Sequence, residues 1–230
     1  TFYWSVPVAT LALLGGRFAL ITAINSATLS STLPLIAFAP LFIAFTSFLI
    51  LGEEITPVGV GGIVAVVVGS YLLRVRNIRD GLLEPIRVLS REHGARMMLL
   101  AALCFSIAAP FTKLAIRSSS TYLAFGAAQI FGAAVLLVWL LARRRLSTVM
   151  RQFSRFRGKL VTIAVANFLQ AIATYISFDL MLVAYAIGIK GSNILMTSLL
   201  GHLLFREQNL RRTLVVGSIM VAGVVLLGLN

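Results

Sequence analysis

"PLIAFAPLFIAFTSFLILGEEITP" (residues 34–57) is an apolar run interrupted by Pro34 and Pro40 and closed by Glu53 and Glu54. A proline removes a backbone donor and crowds the carbonyl four residues earlier, so Pro34 releases the carbonyl of Ser30 and Pro40 that of Ile36. Inside a bilayer, released backbone groups need a partner in a neighbouring helix, a lined cavity or a bound solute. Pro34 lies near a helix start, where the loss is small. Pro40 lies deeper and is expected to break a helix that lines a central cavity, the alternative being a packing kink. Glu53 is expected at the start of the next helix, where the helix dipole favours a carboxylate.

The rest of the chain has the same character. Of its 230 residues, 59% are hydrophobic and 12% are charged, against about 25% charged in an ordinary soluble domain. A membrane-spanning helix needs roughly 20 apolar residues. Eight runs qualify, near 3–24, 31–51, 57–73, 97–116, 120–142, 160–181, 184–205 and 213–229. The expected fold is therefore an all-α integral membrane protein. Cys104 is the single cysteine, and His93 and His202 stand apart without ligand spacing. No disulfide, metal or cofactor is expected, and no catalytic constellation. The first run begins at once, without a basic leader, and about two upstream helices are expected to be missing.

The net charge of +13 is unevenly distributed. Segments 74–96, 143–159 and 206–212 hold six, seven and three basic residues, which is 16 of the 20. With eight spans these segments share one side, and the excess of arginine and lysine predicts that loops 74–96 and 143–159 are cytoplasmic. The chain is then expected in the inner (plasma) membrane. Neither an aromatic stacking platform nor a folded basic domain is present, so a nucleic-acid partner is excluded.

A weak internal repeat appears at an offset of 154, pairing Glu53 with Glu207, Val67 with Val221 and Gly69 with Gly223. Each copy joins an apolar helix, an acid at a short turn and a glycine-bearing helix. Five helices per copy is an odd number, which would insert the copies in opposite orientations. The expected organisation is a three-helix remainder of the first repeat (1–76), a basic connecting loop (77–96) and a five-helix second repeat (97–230). Gly61, Ala65 and Gly69 recur every four residues and are expected to share a packing face.

Segments 23–73 and 184–229 resemble matching ends of the two repeats of the EamA-type branch of the drug/metabolite transporter superfamily. The features shared are the hydroxyl-rich helix join, Pro40, the Gly52-Glu53 pair and the glycine-rich helix after it. Segment 97–116, with Lys113, is similar to the opening helix of a second repeat. The chain departs from the pattern at Ile194 and Arg206, which stand where the first repeat has Pro40 and Gly52. The resemblance implies a ten-helix bundle of two inverted five-helix repeats, a secondary transporter that exports or exchanges a small organic metabolite by alternating access. It also implies cytoplasmic termini, which would put loop 74–96 outside. The arginine count puts it inside, and the count is taken for the side. The other class considered is a membrane-embedded enzyme acting on a lipid-linked substrate. Its expected clusters of histidine, aspartate or cysteine are missing from the sequence, and no enzyme activity is expected. The partners expected are a small-molecule solute and the lipid bilayer; pairing of two copies stays open.

Polar residues inside apolar runs give the candidate solute-binding side chains. Asn167, Gln170 and Thr174 share one helical face, with Tyr175 on its border, and Asn193, Asn25 and Ser31 belong to the same class. Amides of this kind either line a cavity or join helices. Asp179 is the one acid within an apolar run, which makes it a coupling candidate. Its place about 20 residues beyond Lys159 also suits an acid at the far membrane surface. Lys190 either meets an anionic solute or extends to the surface.

Overall fold

In the computed structural model, the residues described are 1–26, 33–74, 92–193, 196 and 210–228. They fold into a 3₁₀ helix, Leu33–Phe38, and eight α-helices. These are α1 (Phe2–Ser26), α2 (Ala39–Leu51), α3 (Pro57–Arg74), α4 (His93–Arg117), α5 (Thr121–Ala142), α6 (Leu146–Leu180), α7 (Val183–Gly191) and α8 (Leu210–Gly228). No strand occurs among the described residues. Helices α1, α4, α5 and α6 are long and apolar enough to cross a membrane. Segments Leu35–Leu51, Pro57–Leu72 and Val215–Leu227 are shorter apolar helices. Ser31, Glu207, most of the segment 74–96 and half of the segment 184–205 lie outside the described residues.

Two boundaries differ from expectation. The run 31–51 is not one helix: a 3₁₀ segment leads into α2, and Pro40 occupies the second position of α2, after Phe38 at the cap. The first turn of a helix has unpaired N–H groups in any case, so a proline there costs little. The segment 143–159, expected as a loop, is mostly helical. α6 begins at Leu146 and continues to Leu180, with one non-helical residue, Phe156, at φ −120° and ψ 22°. Leucine, methionine, glutamine and arginine are good helix formers, and a high density of positive charge does not by itself break a helix.

The junction after α2 follows from its residues. Gly52 takes the left-handed conformation (φ 65°); its N–H returns to the carbonyl of Phe48 and the N–H of Glu53 to that of Ser47, a helix end that favours glycine. Thr56 Oγ1 then accepts the N–H of Gly59 at 3.0 Å, with Pro57 opening α3, an N-terminal cap followed by proline.

Close approach through small residues organises the bundle. α1 turns Ser5, Ala9, Gly16, Ala19 and Ala23 inward. It packs on α4, which buries Ala101, Ala102, Ala108 and Ala109. α3 and α8 meet at Gly62 and Gly223, where an added Cβ on either glycine would stand 2.9 or 2.8 Å from the other's carbonyl oxygen. The α3–α8 face is thus Gly62, Ala65, Val66 and Gly69. Gly61, expected on it, has nothing within 4 Å of an added Cβ. Outward-facing side chains are strongly apolar, including Phe18, Phe45, Ile130, Val138 and Leu169. So wide an apolar exterior is more than a water-exposed monomer ordinarily carries.

Candidate functional site

The ends of α2, α4 and α6 and the starts of α3 and α7 meet at one end of the bundle and are joined there by a buried ion pair. Glu53, in the turn between α2 and α3, is 4% exposed, and Lys113, near the end of α4, is 6% exposed. Lys113 Nζ lies 2.7 Å from Glu53 Oε1 and donates to the carbonyl of Met181 at 2.6 Å. Glu53 Oε2 accepts the N–H of Val183, the first residue of α7, at 3.0 Å. Arg117 approaches the same carboxylate at 3.5 Å and the carbonyl of Leu51 at 3.4 Å. Four elements are therefore tied by two side chains: the α2–α3 turn, α4, the end of α6 and the start of α7. Buried charges persist when each is both paired and hydrogen-bonded, and both conditions hold here. The expectation that Glu53 serves the dipole of the next helix in sequence needs correction. The carboxylate caps α7, a helix 130 residues away, for the same electrostatic reason.

Next to this pair a cavity of about 370 Å³ opens between α1, the 3₁₀ helix and α2, α3, α4, α6 and α7. That is within the roughly 300–1,000 Å³ of small-molecule sites. Its floor, toward the ion pair, includes Thr112 and Phe178, which are 9% and 3% exposed. Its walls are mainly apolar, from Ile36, Pro40, Ile43 and Ala109. Polar groups project from several sides: Ser70 on α3, Thr112 on α4, Gln170, Thr174 and Tyr175 on α6, and Arg17 and Lys190 on α1 and α7. Lys190 Nζ is 3.3 Å from Thr174 Oγ1, and the rings of Tyr175 and Phe125 meet edge to face at 5.3 Å. Gln170, Thr174 and Lys190 also border a smaller hollow of about 240 Å³ between α6 and α7.

Of the residues expected to bind solute, Pro40, Gln170, Thr174 and Tyr175 line this cavity. Asn167 is exposed, and its amide donates to the carbonyl of Ile163 at 2.9 Å. Asn25, exposed near the end of α1, and Asn193, exposed beyond α7, are not among the lining residues. Ser31 falls outside the described residues. Asp179 sits at the ion-pair end of the bundle, where it accepts a hydrogen bond from Thr121 Oγ1 at 2.6 Å in the first turn of α5. Among the described residues, no three His, Cys, Asp or Glu side chains gather to hold a metal ion.

No protein-family model matches the chain, and no curated protein matches it.

Sequence reasoning missed Arg17 as a wall residue and the partnership of Glu53 with Lys113. A usable signal existed for the pair. Single opposite charges on separate apolar helices are costly unless they find one another. The placement of Pro40 carries a prediction: Pro40→Ala changes unfolding stability by less than about 1 kcal/mol, because the missing donor belongs to a helix's first turn. Denaturant unfolding of the purified variant in detergent tests it; a gain above about 3 kcal/mol, the relief of a proline in a helix interior, would place the residue elsewhere.

Proposed function

We propose that the chain is a secondary transporter, exporting or exchanging a small organic metabolite by alternating access, with eight spans in the inner (plasma) membrane and its arginine-rich side in the cytoplasm. The observation that carries this is a cavity walled by mainly apolar helices from both expected repeats, with polar side chains projecting into it and a buried ion pair beside its floor. Its size suits a metabolite. The apolar exterior suits lipid. The pairing of α3 with α8 supports the repeat, since these are the helices that an offset of 154 brings into register. The resemblance to the EamA-type branch supplies the remaining weight.

In this reading Glu53 and Lys113 hold the non-cytoplasmic end shut, and the contact must part for solute to pass. Apolar packing above and below the cavity would reseal behind it.

Metabolite profiling of cells and medium, with and without the full-length protein, tests the proposal. At least one small solute is expected to shift across the membrane with the wild type, and Ala171→Trp, which places an indole from the wall of α6 into the cavity, abolishes the shift while leaving membrane insertion intact. Profiles indistinguishable between wild-type and empty cells, with the protein inserted, would refute it.

A further inference from the structure

We propose that the transported solute is an organic anion, its carboxylate or phosphate group held between Arg17 and Lys190. This rests on the transporter reading and assigns its substrate class. Among the described residues, two cations line the cavity and no aspartate or glutamate does. Glu53, Glu54 and Asp179 belong to the other end of the bundle, where Glu53 pairs with Lys113 and Arg117 and Asp179 with Thr121. Among the described residues, Arg17 makes no ion pair or hydrogen bond, and Lys190 contacts only the Thr174 hydroxyl at 3.3 Å. Two like charges facing one mainly apolar cavity repel each other and gain from an anion between them.

The two cations suit the task differently. Arginine offers a planar fork that matches carboxylate or phosphate oxygens in pairs, and lysine a mobile point charge. Lys190 stands in the last turn of α7, and a lysine extending only to the membrane surface would not be directed at a hydroxyl of the cavity wall. Thr174 supplies a neutral hydrogen-bonding group beside the charge. The rest of the solute lies toward Ile36, Pro40 and Ala109, an apolar lining that accepts a carbon skeleton.

Metabolite profiling of cells carrying the full-length wild type, Arg17→Gln, Lys190→Gln or Arg17→Lys tests this. The compounds moved by the wild type are expected to be anionic. Arg17→Gln and Lys190→Gln each lower their flux by about tenfold or more, the value of a charge-assisted hydrogen bond, and Arg17→Lys keeps part of it. Purified variants are expected to melt with the wild type, since neither side chain supports the fold. Carboxylates moved without phosphate esters, or the reverse, identify the anionic group. If the wild type moves neutral or cationic solutes, or if Arg17→Gln and Lys190→Gln move anions at the wild-type rate, the charge assignment is overturned and the transporter reading stands. If the wild type moves nothing, the transporter reading fails and takes this assignment with it.

Discussion

Lys113→Met lowers the unfolding free energy by about 3 kcal/mol, the low end of the cost of stranding one member of a buried ion pair. Glu53 would remain 4% exposed with its strongest partner removed. The low end applies because Arg117 lies 3.5 Å from the same oxygen. Its side chain is 47% exposed and can move inward to compensate in part. The carbonyl of Met181 loses its donor as well. Removing both charges has a different consequence. Glu53→Met combined with Lys113→Met leaves no buried charge and recovers most of the loss, since apolar replacement of a whole buried pair is often neutral. Recovery is incomplete because the N–H of Val183 no longer has its cap, worth about 1 kcal/mol. Unfolding of the single and double variants in mixed micelles provides the cycle, with a coupling above about 1 kcal/mol expected. A Lys113→Met variant within about 0.5 kcal/mol of wild type, the range of ordinary surface substitutions, would remove the ion pair from the account.

Gly223→Leu destabilises the protein by about 3 kcal/mol, at the upper end for overpacking. An added Cβ would already lie 2.8 Å from the carbonyl oxygen of Gly62 and 3.0 Å from the side chains of Ala65 and Val66. The first of these is backbone and cannot rotate away, so α3 and α8 would have to separate. Gly61→Ala is the matched control. Nothing lies within 4 Å of its added Cβ, and the change should be neutral or stabilising by up to about 1 kcal/mol through helix propensity. The two melting temperatures should therefore move in opposite directions or only the first should fall. Equal losses would mean that the small-residue face has been placed on the wrong side of α3.

The contrast between Gly61 and Gly62 illustrates which features of the fold were legible. Apolar runs located α1, α3, α4 and α5 to within a few residues, because length and composition alone identify such helices. Faces were harder. Steps of four residues drift by about 40° each on a helix of 3.6 residues per turn, so Gly61 and Gly69 stand about 80° apart. Gly62 and Gly69 differ by about 20° and share the contact. Gln170 and Thr174 reach the cavity as their spacing suggested, while Asn167 satisfies itself on the carbonyl of Ile163. Periodicity gives a stripe but not where along it a cavity ends. The helical start of α6 was hidden because its arginines read as a connecting loop, although charge density reports the side of a membrane and not backbone conformation. Least legible were the long-range partners. Glu53 meets residues 60 and 130 positions away, and no local pattern encodes which helix ends will converge.

The central claim is that this protein alone carries a small solute through the cavity beside the Glu53–Lys113 pair. Its most direct test is release from liposomes. The full-length protein would be reconstituted into vesicles loaded with a metabolite extract, and the external medium followed by mass spectrometry. The account predicts that one or a few anionic compounds leave wild-type vesicles and are retained by vesicles bearing Ala171→Trp. Equal retention in both, with the protein folded and inserted, would contradict it.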